Sequence, residues 1–363
     1  MGLSDLDQEA ARTADLAEDA SSDQVRIGQV VKLDRGFPLV RCLDTGEQLR
    51  CEHATDLVKE GRFRVVVGDR VEVLISQGHD KGIIQDVLER RTELVRKDPA
   101  ERAVAQVMAA NFDLVIIAQP LAEVNIRRLE RELVLAFETG AKVAVVLTKA
   151  DLAQDESAVQ QIRRQVQDRA GQQVPVLMIS AQQPETVEEV RSLIPQGTVA
   201  VLMGKSGVGK SSLINLLVGR EVQETGSVRE GDGKGRHTTV SREIVPIPQG
   251  GFVMDMPGVR GVGVWEAEAG IGAAFADIEE AATRCKFRDC KHAGEPGCAV
   301  RAAVAEGQIS QERLDSYLSL TTEVKTLRER KEEARRMQGT KASDERAGKR
   351  GGHKRVHKAR KRR

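Results

Sequence analysis

The sequence predicts an α/β chain of several domains: an N-terminal OB-type β-barrel, a doubly wound parallel sheet and a mainly helical C-terminal part. Three observations carry this expectation. Short β-branched runs recur at regular spacing from residue 25 to about 89, and apolar strand candidates alternate with helical stretches from Phe112 onward. Between residues 285 and 298 three cysteines crowd around one histidine. A length of 363 residues gives each part room for a core.

Residues 1–24 hold seven acids against Arg12 and little apolar surface, so they are expected to remain a disordered acidic arm. The runs 25–33, 37–42, 48–52, 65–67, 70–75 and 81–87 make the barrel, assigned to 25–92. In it, Val67-Gly68-Asp69-Arg70 sets a tight turn before a strand with Val71 and Val73 inward. Such a barrel either contacts RNA or serves only as a packing domain. The region 93–262 carries strand candidates at 114–118, 143–147, 176–180, 199–203 and 252–255, with helices near 126–139, 157–170 and 211–218. From 263 to 337 the pattern is helix and loop around the Cys/His cluster, and 338–363 is expected to be a disordered basic tail.

Composition excludes several classes. Seven Phe, one Tyr and one Trp leave the cores to aliphatic residues and rule out extended base-stacking platforms. No apolar stretch approaches the roughly 20 residues a membrane helix needs. The acidic N-terminus lacks the pattern of a secretory signal, so a cytoplasmic location is expected; the uneven cysteines then read as metal binding around His292, not disulfides, with Cys42 and Cys51 as ordinary barrel residues. A net charge of +1 hides an asymmetry, since residues 324–363 hold 17 Lys/Arg against five acids. Attraction to a polyanion is concentrated at that end.

The most specific motif is Gly204-Lys205-Ser206-Gly207-Val208-Gly209-Lys210-Ser211, which follows an apolar strand and opens a helix that continues with Ser212. Its glycines let backbone N–H groups converge on phosphate oxygens, Lys210 reaches the β- and γ-phosphates, and the Ser211 hydroxyl ligates Mg²⁺. Thr148-Lys149-Ala150-Asp151 sits just past another buried strand. A carboxylate there accepts from both N1–H and the 2-amino group of guanine, while the Lys149 stem packs along the base. Ser180-Ala181, again at a strand end, offers a backbone N–H for the guanine O6. Downstream, Asp255-Met-Pro-Gly258 ends a strand, so Asp255 holds Mg²⁺ through water and the Gly258 N–H meets the γ-phosphate. Thr239, in a Gly-rich charged stretch, is the preferred hydroxyl to complete the Mg²⁺ shell. The usual order of GTPase motifs starts with the phosphate loop and ends with the guanine motif; here the guanine motif comes first. The domain is therefore expected to be circularly permuted, which leaves every strand-end loop on one rim.

With the barrel, the permuted order and the cluster Cys285, Cys290, His292 and Cys298, the sequence resembles the ribosome small-subunit-dependent GTPase A family over about residues 25–325. Asn111-Phe-Asp113, Gly235-x-His-Thr-Thr239, Asp255-x-Pro-Gly-Val259 and Glu295-Pro-Gly-Cys298-Ala-Val300 look like its signatures. Two departures stand out: Thr148 replaces the commoner Asn, and the barrel lacks a strongly basic Arg-Gly-Lys stretch. Three thiolates and an imidazole close a tetrahedral Zn²⁺ shell with no open position, so that zinc is structural. Val259 stands where Ras-like enzymes carry the water-orienting Gln; the resemblance gives that role to His237, making it the catalytic residue.

The resemblance further implies GTP hydrolysis to GDP and phosphate, a late checkpoint in small (30S) ribosomal subunit maturation, stimulation by the subunit and contact with its rRNA. The tail from Lys349 to Arg363 fits as a phosphate-neutralising arm or is simply solvated. A monomer without membrane contact is expected. The alternative is an RNA-binding protein whose nucleotide regulates affinity while turnover is incidental.

Overall fold

The first five strands are β1 (Gln24–Leu33), β2 (Pro38–Cys42), β3 (Gln48–His53), β4 (Arg70–Ile75) and β5 (Lys81–Val87); β2, β4 and β5 alternate buried and more exposed residues, while β1 is buried on both faces over residues 28–31. The computed structural model describes residues 24–33, 37–55, 64–76, 79–97, 105–153, 155–222, 242–248, 250–254, 267–330 and 332–333. Two units meet in sequence at Glu89 and Arg90.

In the first unit the strands run β1-β2-β3-β5-β4 and close through β1–β4, with every pairing antiparallel except β3–β5. This is the expected OB-type barrel, built from five strands. Register shifts between Val30 and Lys32 and between Glu72 and Val73 supply the extra bend that closure needs. Val30, Val40, Val71, Val73 and Ile84 fill the inside. The expected strand at 65–67 is reduced to a bridge at Val67, because the fully buried Asp69 turns back to accept the Val66 amide at 2.7 Å. Cys42 and Cys51 are fully buried, and burial pushes the Cys51 thiol up to about 12. Both are inert core residues.

The second unit opens with an antiparallel hairpin, β6 (Glu93–Lys97) and β7 (Ala105–Ala110), which the sequence reading did not anticipate. Then follow β8 (Leu114–Pro120), α1 (Ile126–Glu138), β9 (Lys142–Thr148), α2 (Glu156–Ala170), β10 (Val176–Met178) and α3 (Val187–Ser192). The sheet is completed by β11 (Val199–Met203), α4 (Lys210–Val218), β12 (Arg242–Pro246) and β13 (Phe252–Met254). Its order is β10-β9-β8-β11-β13-β12, parallel except for β12. β8, β9 and β11 are sandwiched by helices, hence their nearly continuous apolar runs. Helices α1 and α2 begin where side chains cap them: Asn125 accepts from the Arg128 amide and Asp155 from that of Ser157, both at 2.9 Å.

After β13 come three short helices, α5 (Glu268–Ala274), α6 (Ala276–Ala282) and α7 (Ala299–Ala305), and a long α8 over 311–330. They are fastened to the sheet's own helices. Gly270 lies so close to the Val134 carbonyl that no side chain fits, and its amide donates to Glu138 at 2.6 Å. Arg313, 6% exposed, forks onto Asp277 at 2.6 and 2.7 Å and reaches buried Glu130 at 3.2 Å, while Arg131 forks onto Glu323. Among the described residues no helix is long and apolar enough to cross a membrane.

Candidate functional site

Because β8, β9, β10, β11 and β13 are parallel, their C-terminal ends Pro120, Thr148, Met178, Met203 and Met254 share one rim. In open α/β sheets ligands bind there. Gly204 leaves β11 at a φ of 141°, and a Cβ on it would stand 2.5 Å from the Ala118 carbonyl. Only glycine lets the loop begin so close to β8. Gly209, at φ 101°, starts α4 without a side-chain cap, the kind of helix start at which anions bind. The ammonium of Lys210 folds back on its own loop, donating to the carbonyls of Gly204 at 2.7 Å and Lys205 at 2.9 Å. Lys205, Ser206 and Gly207 are exposed at the tip, Val208 is buried beneath them, and Ser211 and Ser212 are half-buried in the first turn of α4.

The 148–151 segment lies beside this loop. Thr148, 2% exposed, directs its hydroxyl to the Val208 carbonyl, with the Gln119 carbonyl further off at 3.3 Å. A hydroxyl has one proton, and the nearer Val208 takes it. The threonine thus makes a direct link to the phosphate-side loop. Lys149 occupies the left-handed region at φ 58°, an uncommon conformation for a side chain of its size that recurs at functional sites. It is exposed, as is Asp151. Asp151 accepts a 2.8 Å hydrogen bond from the buried Ser180 hydroxyl, and the Ala150 amide donates to Ile179 at 3.1 Å. Thr148, Lys149, Ala150, Asp151, Ser180 and Ala181 are therefore brought together on the same rim as the 204–212 segment. Thr239, His237, Asp255 and Gly258 lie outside the described residues.

Asn111 and Asp113 belong to the opposite edge. Asp113 accepts the Val199 amide at 2.9 Å and the left-handed Asn111 accepts that of Arg91 at 2.9 Å, so this motif ties the hairpin and the starts of β8 and β11 together.

A second site lies between α6 and α7. The ligand atoms of Cys285, Cys290, His292 and Cys298 all fall within 4.8 Å of one another, and among the described residues this is the only such group. Cys285 to Cys298 is 4.0 Å, and Nδ1 of His292 stands 3.4 Å from Cys298 and 3.7 Å from Cys285. A tetrahedron of Zn–S bonds has edges of about 3.8 Å, so the donor set and its spacing fit Zn²⁺. Burial lowers the His292 pKa and keeps the imidazole neutral, the form that ligates metal. Sequence reasoning quoted Glu295 without a role. Its carboxylate gathers the amides of Lys291, Ala293 and Gly294 at 2.9–3.1 Å and so shapes the turn that carries two ligands. Bonds from its own backbone amide and from Lys291 help hold its pKa down to about 2. Tyr317, whose ring centroid is 6.3 Å from that of His292, donates to Glu279 at 2.9 Å and backs the site from α8.

The phosphate-type loop, the base-side cluster and a sheet whose central strand β11 comes late in the chain define the class: a circularly permuted P-loop GTPase. The chain belongs to the RsgA GTPase family, whose profile matches residues 87–265. It is 40% identical over 303 residues to the small ribosomal subunit biogenesis GTPase RsgA of Streptomyces avermitilis, covering 83% of this chain and 80% of the relative. Against the protein of the same name from Methanosarcina acetivorans, identity is 39% over 260 residues, 71% of this chain and 69% of that one. Among solved structures it is similar to YjeQ from Thermotoga maritima, with a TM-score of 0.65 and 27% identity over 83% of this chain and 99% of that one. YloQ, described as a circularly permuted GTPase, gives a TM-score of 0.64 and 25% identity over 85% and 98%.

Proposed function

We propose that this chain hydrolyses GTP as a timer in small ribosomal subunit biogenesis, binding the subunit through its rRNA and leaving after cleavage. The observation that supports the reading is the junction of Asp151, Ser180 and Thr148 with the 204–211 loop, which brings an exposed carboxylate and a glycine-rich loop to one rim. Asp151 accepts from guanine N1–H and the 2-amino group, Lys149 covers the base, and the amide of Ala181 meets O6. Gly204 to Gly209 cradle the phosphates, and Lys210 leaves its loop carbonyls to neutralise the β- and γ-oxygens. Ser211 and Thr239 would supply the side-chain ligands of Mg²⁺, which would neutralise phosphate charge. Asp255 and Gly258 complete the phosphate side, and His237 positions water. The four-residue Cys/His group holds one structural Zn²⁺, and the basic tail neutralises rRNA phosphates. The protein acts in the cytoplasm as a monomer.

The test is turnover of GTP and of ATP by the purified chain, alone, with small subunits and with large subunits. GTP turnover rising with small subunits, and tighter subunit binding in a non-hydrolysable GTP analogue, is the expected result. Equal turnover of ATP, or equal stimulation by large subunits, overturns the reading.

A further inference from the structure

Glu132 lies in the second turn of α1, outside every motif used so far. Its Oε2 accepts a 2.5 Å hydrogen bond from Nε2 of Gln119, a side chain only 2% exposed near the end of β8. The Gln119 backbone belongs to the floor of the phosphate site: its carbonyl faces the Thr148 hydroxyl, and the preceding carbonyl, of Ala118, is the one Gly204 packs against. Among the described residues, the charged groups acting on Glu132 are Arg128, one turn earlier on its own helix, and Lys210 from α4. Burial outweighs both of them and the Gln119 amide, and pushes the carboxyl up to about 7.

We propose that Glu132 is a proton-linked counterion of the phosphate loop, balancing Lys210 in the empty loop and taking up a proton when nucleotide phosphates enter. This rests on the reading of 204–211 as that loop. The sign follows from charge. Arriving phosphates add negative charge beside Glu132 and draw the Lys210 ammonium toward themselves, and both changes disfavour the carboxylate. Binding therefore takes up protons, and by linkage nucleotide affinity falls as pH rises through about 7. Glu132 is a positioning residue in this scheme: it acts through Lys210 and touches no substrate atom.

The experiment is calorimetric titration of the full chain with GDP and Mg²⁺ at pH 7.5 in two buffers of different ionisation enthalpy, for wild type and Glu132→Gln. Affinities are measured in parallel from pH 6 to 8.5. Wild type is expected to take up a substantial fraction of a proton per GDP and to lose up to about tenfold in affinity across the range, equivalent to one unit of pKa shift. Glu132→Gln, which keeps an acceptor for Gln119, is expected to lack that uptake and to bind GDP several-fold more tightly than wild type at pH 8.5. The same proton traffic and the same pH slope in both proteins overturn the proposal alone. Absence of GDP binding by both overturns the phosphate-loop reading with it. Should Glu132→Gln not fold, absence of proton uptake by wild type decides against the proposal.

Discussion

Thr148→Val isolates the bond between the two halves of the pocket. Valine has nearly the shape of threonine, so the packing of the methyl survives while the hydroxyl is lost. Thr148 is 2% exposed and Val208 5%, so the Val208 carbonyl is left without its donor where water replaces it poorly. A buried acceptor deprived of its partner costs about 1–3 kcal/mol. If the closed form of the loop is the one that binds phosphate, the same energy appears in GDP affinity as a loss of roughly five- to 150-fold. Fluorescence or calorimetric titration with GDP measures it, and urea unfolding measures the accompanying loss of stability. Thr148→Ser keeps the hydroxyl and removes one methyl, about 0.8 kcal/mol of burial, so it should be mildly destabilised with affinity near wild type. A valine variant that binds GDP like wild type beside a serine variant that does not would show that the methyl matters and the hydroxyl does not.

Asp151→Asn should weaken GTP binding and improve that of xanthosine triphosphate, because an amide can donate to the 2-oxo group; competition binding of the two nucleotides reads the switch. Arg313→Leu should cost about 3–5 kcal/mol in urea unfolding, since Glu130 and Asp277 lose a buried forked partner, although Arg169 still lies 3.7 Å from Glu130. Arg313→Lys should recover little of that, having no fork, and full recovery would assign the effect to charge alone. Cys298→Ser should lower bound zinc from one per chain to well below it and reduce the melting temperature, as seen by metal analysis and thermal unfolding of protein purified without a metal-binding tag. A variant that retains one zinc per chain would remove Cys298 from the ligand set.

The alternation of strand and helix from 114 to 218 was legible because fully buried parallel strands must be apolar on both faces, and residues 114–118 read that way without interruption. The glycine spacing of 204–211 and the spacing of the cysteines were legible for a related reason: backbone geometry and metal geometry each admit few patterns. The β6–β7 hairpin was not, since Ala105–Ala110 is rich in alanine and becomes a strand only by pairing with Glu93–Lys97. Strand β12 escaped notice as a five-residue strand that begins with Arg-Glu and ends in proline. In the site, residue types announced Asp151 and Lys210, but the partners that orient them did not. Thr148 finds Val208, Glu132 finds Gln119 and Arg313 finds Glu130 across long stretches of chain, and such pairings leave no local periodicity.

The permuted strand order also dictates what the growing chain can build first. The succession β8-α1-β9-α2-β10 contains its own pairings and needs nothing made later. The other edge of β8 does: Leu114 pairs opposite Ala200 and Ile117 opposite Met203. Until β11 emerges, the half-domain carries an open apolar edge in what becomes the middle of the sheet, and its longest-range parallel pairing has to wait for that strand. In the ordinary order the strand leading into the phosphate loop is synthesised at the start and can template its neighbours. Here a chain interrupted before residue 199 ends as a sticky fragment with the 148–151 segment and no 204–211 loop, so its solubility depends on how soon that strand follows.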